Sequence, residues 1–215
     1  MKTRIILLGP PASGKGTQAE LIRAHYGIPS ASPGAMLREE MRAGTPLGRE
    51  ADELTRDGSM VPDAMVIQLV SNWLTPHAQS FIFDGFPRTI AQAIALEKIL
   101  SDLHSGLDAV FFFDVAMETI VERVMHRLTC SQCGRTFAPG LHLGADLTAC
   151  PKCGGALIRR SDDTPEALER RIKEYHEKTE PLVEYYQNKG LLWRLKSTDL
   201  PEGVFTEITS ILEAV

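Results

Sequence analysis

Ile5-Ile6-Leu7-Leu8-Gly9-Pro10-Pro11-Ala12-Ser13-Gly14-Lys15-Gly16-Thr17 is the stretch whose reading decides the fold. Four apolar residues make a buried-strand pattern and run straight into a glycine-rich turn. Residues 17–26 then read as a helix that ends before Gly27. Glycines let the backbone fold tightly, so that several N–H groups can face one anion. The helix N-terminus behind the turn adds partial positive charge, and Lys15 adds a full one. The usual phosphate-binding pattern has Ser or Thr directly after the lysine, whereas here Gly16 intervenes and Thr17 follows. The stretch is therefore a variant of that pattern. A plain glycine turn between strand and helix is the other reading. Strand context and the Gly14-Lys15 pair favour phosphate chemistry, with Lys15 reaching terminal phosphates and the Thr17 hydroxyl near Mg²⁺ or a phosphate.

Working outward, helices are indicated near 34–43 and 46–57, punctuated by Gly44, Pro46 and Gly58. Pro62 suits the first residue of another helix, because it lacks the N–H that position leaves unpaired. Phe81-Ile82-Phe83 is a second buried strand ending at Asp84, 109–113 a third ending at Asp114, and 191–195 a last one. Helical patterns cover 89–103, 117–127 and 202–213. Leu168, Ile172, Tyr175, Thr179, Leu182 and Tyr186 form a single stripe at helical spacing. Asp163 is the expected cap of that helix, with Pro165 in its first turn and Glu166 placed as in a capping box. Pro181 should kink or break it. Strands alternating with helices predict an α/β fold with a parallel sheet covered on both faces.

Asp84 ends an apolar strand, where a carboxylate can hold Mg²⁺ through water or simply make a turn. The chain has 215 residues, 43% hydrophobic and 24% charged, which excludes disordered and fibrous classes. Its net charge of −5 argues against a general nucleic-acid coat protein. No apolar run approaches the roughly 18 residues of a membrane span. The short run at 5–8 is no signal-peptide core, so a cytosolic protein is expected.

Residues 128–163 change character: they are rich in glycine, poor in apolar residues and hold all four cysteines. Cys130-Ser131-Gln132-Cys133 and Cys150-Pro151-Lys152-Cys153 are two knuckles 16 residues apart, the spacing of a four-cysteine Zn²⁺ site. Four thiolates leave no open coordination position, so such a site is structural. Buried free thiols and disulfides are the competing readings, and iron could occupy the same sulfur set. A zinc-ribbon that binds nucleic acid is disfavoured, since Phe137 is the lone aromatic among few cations.

Asp84-Gly85-Phe86-Pro87-Arg88-Thr89, together with Gly14-Lys15-Gly16-Thr17, strongly resembles the adenylate kinases, a family of nucleoside monophosphate kinases. Leu37-Arg38, Val61-Pro62-Asp63, Gln92, Arg123, Arg127, Arg160, Asp162-Asp163, Arg171 and Tyr175-His176 extend the likeness over nearly the whole chain. The cysteine module resembles the longer lid of the bacterial members. The resemblance implies a P-loop three-layer fold with a five-stranded parallel sheet. The core would comprise 1–31, 62–127 and 164–215, with a helical monophosphate-binding insertion at 32–61 and a zinc-bearing lid at 128–163. It implies Mg²⁺-dependent transfer from ATP to AMP giving two ADP, by a cytoplasmic monomer.

Site roles follow from the same resemblance. Ala12, Ser13, Gly14, Lys15, Gly16, Thr17, Arg123 and Arg127 would bind ATP. Pro33, Arg38, Ser59, Met60, Val61, Gly85, Phe86, Pro87, Arg88, Gln92, Arg160 and Arg171 would bind AMP, with Gln92 reading the base. Lys15, Arg88, Arg123, Arg127, Arg160 and Arg171 would act on the transferring group, and Asp84 would organise Mg²⁺. Three positions depart from the family pattern: Ala12 replaces a glycine, Pro33 a threonine that helps bind AMP, and Ala35 an aspartate. A monophosphate kinase of broader or pyrimidine specificity is thus the alternative within the family. A nucleic-acid-binding P-loop switch is a distant one.

Overall fold

The structure is a computed structural model that describes residues 1–55, 61–137, 148–160, 163–196 and 200–214. In chain order the elements up to residue 102 are β1 (Arg4–Leu8), α1 (Lys15–Tyr26), β2 (Ser30–Ala31), α2 (Pro33–Ala43), α3 (Pro46–Thr55), α4 (Asp63–Leu74), β3 (Phe81–Asp84) and α5 (Ile90–Asp102). There follow β4 (Ala109–Asp114), α6 (Met117–Met125), β5 (Leu128–Cys130), β6 (Thr136–Phe137), β7 (Leu157–Ile158), α7 (Pro165–Glu174), α8 (Pro181–Asn188), β8 (Leu192–Lys196) and α9 (Pro201–Glu213).

Five strands form one parallel sheet in the order β2-β3-β1-β4-β8. Successive residues of β1 face opposite sides, and both sides are covered. Ile6 and Leu8 pack with Phe83, Phe112, Leu74, Leu96, Leu182 and Tyr186. Ile5 and Leu7 pack with Ile22 of α1 and with Val204, Ile208 and Leu212 of α9. A strand buried on both faces must be apolar at every position, which is why Ile5-Ile6-Leu7-Leu8 reads as a continuous run. The crossovers bring α1 and the turns after β1 and β3 to the C-terminal edge of the sheet, where α/β folds hold their ligands.

The fifth strand that the resemblance implies is the two-residue β2, which pairs Ser30 with Ile82 and Ala31 with Phe83; the residue pattern alone marks only four. Three local outcomes differ from the expectations. α1 begins at Lys15 rather than at residue 17, and Pro62 caps α4 rather than opening it. Thr164, not Asp163, caps α7, its side chain accepting a hydrogen bond from Ala167 N at 3.2 Å. Asp163 is engaged elsewhere, with two arginines. As expected, Pro181 breaks the long helix: a π-helical turn over Tyr175–Thr179 precedes it, and the stripe continues on α8, which starts at Pro181. The proline cannot donate, and the turn widens so that Glu180 N donates to Tyr175 O at 2.8 Å, five residues back. The stripe itself is buried at Leu168, Tyr175, Thr179, Leu182 and Tyr186.

The cysteine-bearing segment makes a small antiparallel sheet, β6-β5-β7, with an added bridge between Ala149 and Ala156. Among the described residues its buried apolar cluster is Phe137 and Leu157 packed on Cys130 and Cys150, too little to hold a fold alone. Among the described residues, no helix is long and apolar enough to cross a membrane.

Candidate active site

The loop after β1 closes on itself. Ser13 N donates to Pro10 O, and Lys15 Nζ donates to Gly9 O at 2.9 Å, Pro10 O at 2.7 Å and Ser13 Oγ at 3.2 Å. Ala12 takes a left-handed conformation, φ 56°, which glycine would adopt without cost. Its methyl group rests against the cluster of Ile120, Val124 and Leu168, which offsets the strain of that backbone. Gly14 caps α1 at φ 100° with no side-chain cap, and the first turn of α1 carries no acidic residue. The helix end is thus set to receive an anion.

Lys15 is pushed down to about 8, first by burial. Asp84 pulls it up, while Arg88, Arg171 and Arg127 push it further down. Residues from four distant points of the chain therefore share one electrostatic neighbourhood. Asp84 lies against the loop: a Cβ on Gly16 would sit 3.2 Å from its Oδ2, so the position next to the carboxylate suits glycine. The exposed Thr17 follows in the first turn of α1. A carboxylate and a threonine hydroxyl are oxygen ligands of the kind Mg²⁺ takes, and Thr17 adjoins in sequence the glycine that Asp84 lies against.

The arginines are positioned by specific bonds. Arg123 Nη1 approaches Ala12 O at 3.5 Å, and burial pushes its pKa down from the ordinary arginine value. Arg127 is buried and forks onto Asp163, with Nε 2.8 Å from Oδ2 and Nη2 on Oδ1. Arg171 Nη1 reaches the same Oδ1 at 3.4 Å. Asp163, its side chain only 2% exposed, gathers both guanidiniums. Its N–H donates to Arg160 O at 3.2 Å, which ties Arg160 to the same junction.

Arg38 and Arg88 converge at Gly34, in the first turn of α2. A Cβ on Gly34 would meet Arg38 Nη1 at 3.4 Å and Arg88 Nη2 at 3.5 Å. Arg88 Nε donates to Gly85 O at 3.0 Å, and its carbonyl accepts from Thr179 Oγ1 at 2.9 Å. Phe86, Pro87 and Pro33 are buried nearby in the chain, and Val61 is half-buried. Gln92 is 1% exposed, its amide bonded to Asp63 and to Arg88 N. Ser59 and Met60 lie outside the described residues.

Three contributors were not foreseen from the sequence: Asp163, Asp63 and Thr179, the last read only as part of the helical stripe. Asp163 looked like a helix cap because it precedes Pro165. Asp63 belonged to the Val61-Pro62-Asp63 motif without a role. The one signal for Asp63 was Thr89-x-x-Gln92, a capping-box spacing whose glutamine needs a partner.

The four cysteines form a single cluster, with all Sγ atoms within 4.8 Å of one another. Cys130 and Cys153 Sγ lie 3.5 Å apart, and Cys133 and Cys150 Sγ 3.7 Å apart. Sulfurs about 2.3 Å from a tetrahedral ion stand about 3.8 Å from each other, so the set fits Zn²⁺. All four are free cysteines. The Cys133 N–H, foremost, holds the Cys130 thiol down to about 6. Cys153 is drawn down by the Gly155 N–H, but its hydrogen bond with Cys130 and burial push it up to about 12 overall. Four crowded sulfurs cannot all be thiolates without a cation among them.

A family profile described as adenylate kinase matches residues 7–191. The chain belongs to the adenylate kinase family. It is 44% identical to an adenylate kinase of Archaeoglobus fulgidus over 213 residues, 98% of each chain. It is 46% identical to that of Caldicellulosiruptor saccharolyticus over 191 residues, covering 88% of this chain and 89% of the other. With that of Methanosarcina barkeri it shares 41% over 211 residues, 97% of this chain and 98% of its relative.

Proposed function

We propose that the chain catalyses reversible phosphoryl transfer from ATP to AMP, giving two ADP. The observation that carries this is the glycine loop itself, with Lys15 bonded into it, Asp84 against Gly16 and Arg123 reaching Ala12 O, and with Arg88, Arg127 and Arg171 near enough to bear on the Lys15 charge. Transfer between two nucleotides needs no protein nucleophile. It needs in-line positioning, charge neutralisation and exclusion of water. The loop N–H groups and Lys15 would hold the ATP phosphates, with Arg123 and Arg127 on the same side. Arg38 and Arg88 would hold the acceptor phosphate, and Arg160 and Arg171 would span both. Asp84 and Thr17 would hold Mg²⁺, which supplies further charge neutralisation when bound.

Residues 32–61 would form the acceptor-binding unit and 128–163 a lid, both folding over the substrates. Closure keeps water from taking the phosphoryl group. The cysteine cluster would carry structural Zn²⁺ and keep the lid rigid. Pro33 offers no hydroxyl to the acceptor, so base recognition rests on Gln92. A kcat/KM panel of AMP, dAMP, CMP, UMP and GMP with Mg-ATP tests the reading. A preference for AMP of about a hundredfold or more over the pyrimidine nucleotides is expected. Comparable use of CMP or UMP would overturn the assignment of AMP as acceptor.

A further inference from the structure

Gln92 is buried at the start of α5, and both ends of its amide are bonded. Oε1 accepts from the Arg88 backbone N–H at 2.8 Å, and Nε2 donates to Asp63 Oδ1 at 2.7 Å. A backbone N–H can only donate, and an ionised carboxylate can only accept. The two partners therefore demand the same orientation. The flipped amide would set its NH₂ against an N–H and its oxygen against a carboxylate. Asp63 is itself fixed, since its other oxygen accepts from Thr89 Oγ1 at 2.8 Å, and Thr89 caps α5 by accepting from Gln92 N at 3.1 Å. Asp63 thereby joins the first turns of α4 and α5, the two helices flanking Gly85–Arg88 in sequence.

A primary amide makes four hydrogen bonds, and these two leave one N–H and one lone pair to offer. With the orientation locked, that donor and that acceptor have fixed places. Adenine presents an acceptor at N1 and a donor at its 6-amino group. Hypoxanthine presents the reverse, a donor at N1 and an acceptor at O6. A locked amide satisfies one and opposes the other, whereas a freely flipping amide serves both.

We infer that Asp63 is a positioning residue for acceptor specificity: together with the Arg88 N–H, which asks for the same orientation, it fixes the Gln92 amide in place, and the fixed amide selects a 6-aminopurine over a 6-oxopurine monophosphate. This rests on the proposed reading that Gln92 faces the acceptor base. The site thus keeps its preference for adenine although Pro33 and Ala35 remove the polar groups the family pattern has there. Asp63 touches neither phosphate nor Mg²⁺ in this scheme and acts only through Gln92.

The test compares kcat/KM for AMP and IMP, which lacks the 2-amino group of GMP, in the full chain with Mg-ATP. Asp63→Ala should lower the AMP-to-IMP ratio at least about tenfold, chiefly through KM for AMP, with KM for ATP unchanged. Asp63→Leu, which keeps the side-chain volume, should do the same. Asp63→Asn should retain the ratio, because its oxygen can still accept from Gln92 and its NH₂ can turn to Thr89. Thr89→Val should also retain it, since the Gln92 bond to Asp63 survives. Gln92→Leu separates the two ideas. If Gln92→Leu collapses the ratio while Asp63→Ala and Asp63→Leu leave it intact, the locking role is overturned and the base reading stands. If Gln92→Leu leaves the ratio unchanged, the base reading itself fails. An equal loss in kcat for both acceptors and in KM for ATP would mark Asp63 as merely structural and overturn the inference.

Discussion

Raising the pH from 7 to 9 should weaken ATP binding about tenfold, and Lys15 should be the cause. In the ligand-free chain burial and three arginines push this lysine down to about 8. At pH 7 it is then roughly nine-tenths protonated, and at pH 9 roughly one-tenth. Bound phosphates favour the charged ammonium and hold its proton, so the bound lysine titrates well above the free one. Only the protonated free form binds without taking up a proton, and the dissociation constant must rise as pH climbs through 8. The terminal phosphate loses its last proton near pH ~6 by comparison with phosphate esters, so it does not titrate in this window. Isothermal titration of Mg-ATP in buffers of differing ionisation enthalpy reads both quantities: a falling affinity above pH 8 and the uptake of one proton. Lys15→Met should bind more weakly throughout and lose the slope. A flat profile between pH 7 and 9, or the same slope in Lys15→Met, would refute the reasoning. The same shift opposes folding of the ligand-free chain while the lysine is charged. That cost is full below pH 8 and is relieved as pH rises from about 8 towards the ordinary value of 10.5, so unliganded stability from this group increases there.

Other consequences are more local. Asp163→Ala strips a nearly buried carboxylate from Arg127 and Arg171 and leaves two cations facing each other. A loss of about 3–5 kcal/mol is expected, a fall in Tm on the order of ten degrees in thermal unfolding, and an unchanged Tm would contradict the network. Gly48→Ala would drive a Cβ to 2.0 Å from Glu40 O, where α3 crosses α2. It should cost about 1–3 kcal/mol and raise KM for AMP more than KM for ATP, measured by initial rates. Elemental analysis should find one zinc per chain, and chelation should lower Tm while the folded fraction keeps its kcat. Loss of catalysis with lid fold and Tm intact would give the metal a chemical role instead.

What could be read from the sequence followed physical strength. Ile5-Ile6-Leu7-Leu8 and Phe81-Ile82-Phe83 are buried on both faces, so every position had to be apolar and the strands were plain. Ser30-Ala31 is only two residues long, at the sheet edge, and pairs through its backbone, which leaves no side-chain pattern. The two knuckles were legible because metal ligation fixes residue type and spacing together. The glycine loop was legible because its backbone must approach phosphate. Asp163 was misplaced because a carboxylate before a helix can cap it or bind an arginine, and only the fold brings Arg127 and Arg171 to it. Asp63 and Thr179 escaped for the same reason: their partners Gln92 and Arg88 lie 29 and 91 residues away. The π-helical turn was half foreseen, since Pro181 forbids one hydrogen bond but does not say how the helix makes room.

The most direct test of the account is a phosphorus NMR time course of the purified chain with Mg²⁺, ATP and AMP. Two ADP should form for each ATP and AMP consumed, with no inorganic phosphate released, and ADP alone should run the reaction backwards to the same equilibrium. Steady release of inorganic phosphate, or an unchanged AMP signal while ATP is spent, would contradict a site built to pass the phosphoryl group between nucleotides and to exclude water.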